Sequence, residues 1–121
     1  MPAAVDEQTA KARAMSERAL YDEVAKRLKR LGWRYFHIPA RAYGHGVRAG
    51  FPDITAVKGE RLLFIELKRE KEKLSDEQAA WAYALLGVAA RTVYETVQYL
   101  VWRPSNLLSG EIAEILAGGK A

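Results

Sequence analysis

Three charged side chains stand among residues built for burial in the stretch 50–68, GFPDITAVKGERLLFIELK: Asp53, Glu66 and Lys68. Two carboxylates and one amine could hold a hard cation, activate a water molecule, or close into an ion-pair cluster. All three outcomes require that the chain bring them together. The hydrophobic runs at about Asp53–Val57 and Leu62–Lys68 flank the turn Lys58-Gly59-Glu60-Arg61 and read as an antiparallel hairpin. A loop centred between Gly59 and Glu60 sets Val57 against Leu62 and Asp53 against Glu66. Facing residues of such a pair have Cβ atoms about 4.5–5.5 Å apart. Lys68 lies two residues beyond Glu66 and shares its face.

Lys68 alone could tie the carboxylates into a structural ion pair. One ammonium does not neutralise two carboxylates, however, and at low dielectric the pair repels strongly. A divalent metal answers both charges, and Asp53 and Glu66 offer the hard oxygens that Mg²⁺ or Mn²⁺ prefers. Lys68 beside such an ion could orient or deprotonate a water aimed at phosphorus. Both readings, the structural cluster and the metal site, stand on the residues alone.

The elements that must position these groups follow from periodicity and caps. Ser16 can cap a helix from about Glu17 to Leu31, with Leu20, Val24, Leu28 and Leu31 on one stripe and Gly32 as its stop. Glu17 falls on that stripe, where a carboxylate is costly unless it meets a cation or donors. Glu23 points about 120° away from Glu17, beside Asp22, Lys26 and Arg30, and is expected to face solvent. Trp33 to Ile38 reads as a first strand ending at Pro39, and Ala40 to Gly50 as a Gly-rich basic loop. Ser75 to Gln78 forms a capping box that opens a second helix to about Leu86, with Gly87 as its end. Gln78 there has two readings, a partner of the Ser75 backbone and a side chain lining the site; Trp81 reads as core. Arg91 to Arg103 is β-rich, Pro104 breaks it, and Glu111 to Leu116 makes a short last helix. The order α-β-β-β-α-β predicts an α/β domain with a mixed β-sheet flanked by helices.

The 121 residues suit one domain, expected over residues 16–121 behind a flexible or partly helical N-terminal tail at 1–15. No apolar run approaches the roughly 20 residues of a membrane span. The start lacks the apolar middle of a secretory signal, which points to the cytoplasm. Without cysteine, disulfides, Cys-based zinc sites and thiol nucleophiles are excluded. The net charge is only +4, but seven basic residues and no acidic one lie between Val24 and Pro52: Lys26, Arg27, Lys29, Arg30, Arg34, Arg41 and Arg48. Such a segment suits a solvated helix face or a phosphate-binding surface. Arg41, His45 and Arg48 in the loop, with Lys26 and Arg30 on the helix, are the candidates for DNA contact. His37 reads as structural. The alternating run Arg69 to Lys73 reads as a solvated connection without chemistry.

Pro52-Asp53 followed thirteen positions later by Glu66-Leu67-Lys68 resembles the motif of the PD-(D/E)xK nuclease superfamily. The longer string GFPDITAV…LLFIELKREKEKLSDEQAAWAYAL is similar to its VRR-Nuc branch, the virus-type replication-repair nuclease domains. That branch also has a helical Glu about fifteen residues before a Gly-Trp pair, here Glu17 and Gly32-Trp33. It carries LSxEQxxW and VWRPS as well, matched at Leu74–Trp81 and Val101–Ser105. The resemblance covers about Ser16 to Leu116 and implies a restriction-endonuclease-like PD-(D/E)xK core. It implies that Asp53, Glu66 and the Leu67 carbonyl hold Mg²⁺ or Mn²⁺, that Glu17 supports the ion through water, that Lys68 positions the nucleophile and that Gln78 lines the site. It further implies an endonuclease acting on DNA, with branched DNA such as Holliday junctions as substrate and a homodimer as the active form, in a bacterial or phage-infected cell. The rivals are another nuclease of the same chemistry (flap, end-processing or restriction-like) and a DNA-binding module with an inert site. The chain is longer than many members between Gly87 and Val101.

Overall fold

The computed structural model describes residues 3–38, 49–91 and 96–118. Among these described residues five helices and four strands follow in the order α1 (Ala3–Ala14), α2 (Glu17–Arg30), β1 (Arg34–His37), β2 (Ile54–Lys58), β3 (Arg61–Leu67), α3 (Asp76–Ala89), β4 (Val97–Trp102), α4 (Pro104–Leu108) and α5 (Glu111–Leu116). The strands form one sheet ordered β1-β2-β3-β4, with β1–β2 and β2–β3 antiparallel. Leu62 N–H donates to the Thr96 carbonyl and Lys68 N–H to the Trp102 carbonyl, the same offset twice, so β4 runs parallel to β3. The sheet is therefore mixed, as the element order predicts.

The hairpin register is the predicted one: Ile54 faces Ile65, Val57 faces Leu62, and Lys58 and Arg61 flank a two-residue turn. Alternation enforces it. Ile54, Ala56, Leu63 and Ile65 are wholly buried on one face, and a slip of one residue would turn the pair on the slipped strand outward. Each large one contributes about 1.5–3 kcal/mol by its burial.

Backbone packing divides the chain into two compact units. One holds α1, α2, residues 67–72, Trp102, α4 and α5. Ser16 caps α2 by accepting the Ala19 N–H at 3.0 Å, and Leu20, Val24 and Leu28 form its buried stripe. Leu67, Trp102, Ile112, Ile115 and Leu116 are further large buried apolar groups of this unit. Residues 3–14, expected as tail, form α1, which lies against α4 and buries Ala12. The second unit holds β1, β2, β3 up to Glu66, α3 and β4 up to Val101. Here Arg61 stacks over Trp33, 5.1 Å from the ring centre, and hydrogen-bonds Gln98 at 3.2 Å.

Two boundaries differ from the expectation. Gly87 does not end α3, which runs on to Ala89. Pro104 ends the β-rich run, but it also begins α4, where proline at the first helical position sacrifices no hydrogen bond.

Candidate active site

In the second unit, β2 and β3 carry the paired carboxylates. Asp53 precedes β2 by one residue, and the register of the hairpin, extended one step beyond Ile54 and Ile65, sets it opposite Glu66. Its carbonyl accepts the Ile38 N–H at 2.9 Å, which ties this step to the end of β1. Glu66 is only 2 % exposed, an extreme value for a carboxylate. Gln78 performs both of its expected roles. Its Oε1 accepts the Ser75 N–H at 2.8 Å to close the capping box, and its Nε2 donates to Glu66 Oε2 at 3.1 Å. The cap thus orients the amide that holds Glu66.

Gly50 sets the distance between the Asp53 segment and α3. Its φ is +85°, and a Cβ there would lie 2.6 Å from the Gln78 backbone nitrogen. Phe51 then packs edge-on against both Trp81 and Phe64, with ring centres 4.8 and 6.0 Å away. Trp81 is a packing residue of this cluster. Gly50→Ala should cost at least about 1–3 kcal/mol, from left-handed strain and the displaced helix start. A thermal melt should show a loss of roughly 5–10 °C; an unchanged melt would mean that α3 does not approach this closely.

Tyr99 on β4 reports the charge of the pair. It is 9 % exposed, and its phenol is pushed up to about 12, first by burial and then by the negative charges of Glu66 and Asp53. Both carboxylates therefore act on one buried group. Two facing carboxylates in a poorly solvated place suit a divalent cation, whose charge removes their repulsion. Among the described residues no group of three or more His, Cys, Asp or Glu gathers as a metal cluster. Within this unit the hard oxygen donors of that kind are the carboxylates of Asp53 and Glu66, and Mg²⁺ commonly keeps water in the rest of its shell.

The first unit carries Lys68, Glu17 and a residue that sequence reasoning missed, Glu72. Lys68 is 6 % exposed, and its Nζ lies 3.8 Å from Glu72 Oε2. The connection curls back on itself, with Glu72 Oε1 accepting the Arg69 N–H at 3.3 Å and Arg103 donating to the Glu72 carbonyl at 2.8 Å. Burial raises the Glu72 carboxyl, but its hydrogen bond with Glu17, the Arg69 N–H and the charges of Lys68 and Arg69 outweigh it and hold the group below its ordinary value. So the run Arg69 to Lys73, expected to be merely solvated, supplies the ion-pair partner of Lys68. Glu70 is engaged too, accepting the Ser105 N–H in the first turn of α4 at 2.9 Å. Glu17, in the first turn of α2, reaches Glu72, whereas Glu23 pairs with Lys26 and Arg27.

The family model of the VRR-NUC domain matches residues 5–92. The chain belongs to the VRR-NUC family. No curated protein matches it significantly, and no solved structure does. VRR-NUC domains are nucleases of the PD-(D/E)xK type, so the protein is a nuclease, a hydrolase whose substrate is DNA. Nucleases of this type usually use divalent metals.

The matched span of the VRR-NUC domain takes in Glu17, Asp53, Glu66, Lys68 and Gln78, and starts within α1. Val101 to Ser105 and Tyr99 lie beyond it. Of the candidate DNA contacts, Arg30 is exposed in the last turn of α2, and Lys26 is exposed but paired with Glu23 at 3.1 Å. Arg41, His45 and Arg48 lie outside the described residues.

Proposed function

We propose that this nuclease is a Mg²⁺- or Mn²⁺-dependent endonuclease that cuts branched DNA, such as four-way junctions, as a homodimer. The observation that carries the metal dependence is the pairing of Asp53 with a buried Glu66 that Gln78 holds by a hydrogen bond. Asp53, Glu66 and the Leu67 carbonyl would hold the ion. When bound, it polarises the phosphate and offsets the charge that develops during displacement. Gln78 keeps Glu66 in its rotamer through an amide that the helix cap has already fixed. Lys68, two residues beyond Glu66 in sequence, orients the attacking water by its ammonium. Glu72 holds that ammonium in place, and Glu17 acts through Glu72. Water oxygen joins phosphorus as the bond to the leaving sugar oxygen breaks; the water gives up a proton to solvent, and the leaving oxygen takes one up from solvent.

The dimer draws its support from α3. Its stretch Ala79–Ala89 carries no charge, only Ala82 is buried, and Tyr83, Leu86 and Val88 are 84, 50 and 54 % exposed. A helix apolar all round normally has a partner on more than one side. Two copies paired by symmetry would place two sites on the two strands of a junction. No helix of the described residues is long and apolar enough to cross a membrane.

The test is a labelled panel of duplex, single-stranded, flap, fork and four-way DNA with Mg²⁺ or Mn²⁺, alongside sedimentation of the protein. Metal-dependent cutting of four-way DNA by a dimer, in preference to linear duplex, is expected. A monomer at micromolar concentration that cuts linear duplex equally well would favour a flap- or end-processing nuclease. Binding without cutting in any metal would leave an inert module.

A further inference from the structure

β4 contributes one side chain to the carboxylate face that the reading above leaves unused. In the parallel β3–β4 pair, the Leu62 N–H to Thr96 carbonyl bond sets Tyr99 beside Phe64, on the same face of the sheet as Glu66 and one step from it. The hydroxyl oxygen of Tyr99 is buried and makes no hydrogen bond. A buried hydroxyl in that state is destabilising, because its desolvation is not offset. Such a cost is tolerated where a group awaits a partner that folding alone does not supply. A phenol is protonated across the physiological range in any case, so it can act there as a donor.

We infer that Tyr99 is a positioning residue of the nuclease site, its hydroxyl donating a hydrogen bond to an oxygen held between Asp53, Glu66 and a bound divalent cation. The inference rests on the metal-dependent reading of this site. A donor in that position acts as the outer shell of a metal site does: it fixes the orientation of an oxygen that the ion and the carboxylates share. Phenylalanine in its place keeps the ring and its packing and removes only the donor.

The test uses Tyr99→Phe, with Tyr83→Phe as a control on an 84 % exposed tyrosine. Mn²⁺ alone, without DNA, is titrated into each protein by calorimetry, and melts are recorded with and without the ion. For Tyr99→Phe the expected result is a melting temperature in the absence of metal equal to the parent's or higher, because no hydrogen bond is lost. The same variant should bind Mn²⁺ about 10–100-fold more weakly and show a smaller metal-induced rise in melting temperature. Tyr83→Phe should match the parent in both. Parent-like Mn²⁺ affinity in Tyr99→Phe would overturn the inference while leaving the metal site standing. So would a metal-free melt several degrees lower, which would assign the hydroxyl a structural bond. Mn²⁺ binding absent from the parent, or unaffected by Asp53→Asn, would instead remove the metal reading and this inference with it.

Discussion

Asp53→Asn and Glu66→Gln should each lower DNA cleavage by at least about 10³-fold, while leaving the fold and most of the DNA affinity in place. An ion at this pair supplies several kcal/mol of charge stabilisation in the displacement, and each 1.36 kcal/mol corresponds to about tenfold in rate. Affinity for DNA rests mainly on phosphate contacts made elsewhere on the surface. The fold should survive for a local reason. Both substitutions keep the side-chain shape, and both remove one member of a facing pair of like charges. In the Glu66→Gln variant the new amide can still accept from Gln78 through its oxygen. Melts at least as high as the parent's are therefore expected in metal-free buffer. Cleavage near the parent rate in either variant would remove the metal site from the account.

Lys68→Ala should reduce cleavage by about 10²–10⁴-fold, the range typical of a positioned acid–base group, yet retain Mn²⁺ binding by calorimetry. The buried ammonium is held by Glu72, and Glu72 in turn meets Glu17. The same assay therefore ranks the two glutamates of α2. Glu17→Gln should lose much of the activity because it alters the group that fixes Lys68. Glu23→Gln should lose almost none, since it breaks only partly exposed pairs with Lys26 and Arg27. Normal cleavage by Lys68→Ala would reduce Lys68 to a charge partner, and the reverse ranking of Glu17 and Glu23 would sever α2 from the chemistry.

What the sequence makes legible here is local. A turn centred between Gly59 and Glu60 left the hairpin one register, so the facing of Asp53 and Glu66 could be read before any coordinates. The Ser75–Gln78 box is equally self-contained, and so is α5 between Gly110 and Ala117. What stayed hidden depends on long-range packing or on residues with two meanings. Pro104 terminates a strand and starts a helix at once. Gly87 carries a helix breaker's signal, but tertiary context overrode its propensity and α3 continues through it. Glu72 sits in a run of alternating charge that looks like any wet connection; only the curl that brings it to the Arg69 N–H and Lys68 gives it a role. Tyr99 gave no signal at all, because its neighbours on the carboxylate face come from a parallel pairing across more than thirty residues.

The most direct test of the central claim is the position of the ion itself. Crystals grown or soaked with Mn²⁺, with diffraction recorded at its absorption edge, would locate it by anomalous scattering. The account predicts a peak about 2.0–2.6 Å from carboxylate oxygens of both Asp53 and Glu66, lost in the Glu66→Gln variant. A peak at Glu17 and Glu72 instead, or none near Asp53 at saturating Mn²⁺, would contradict it.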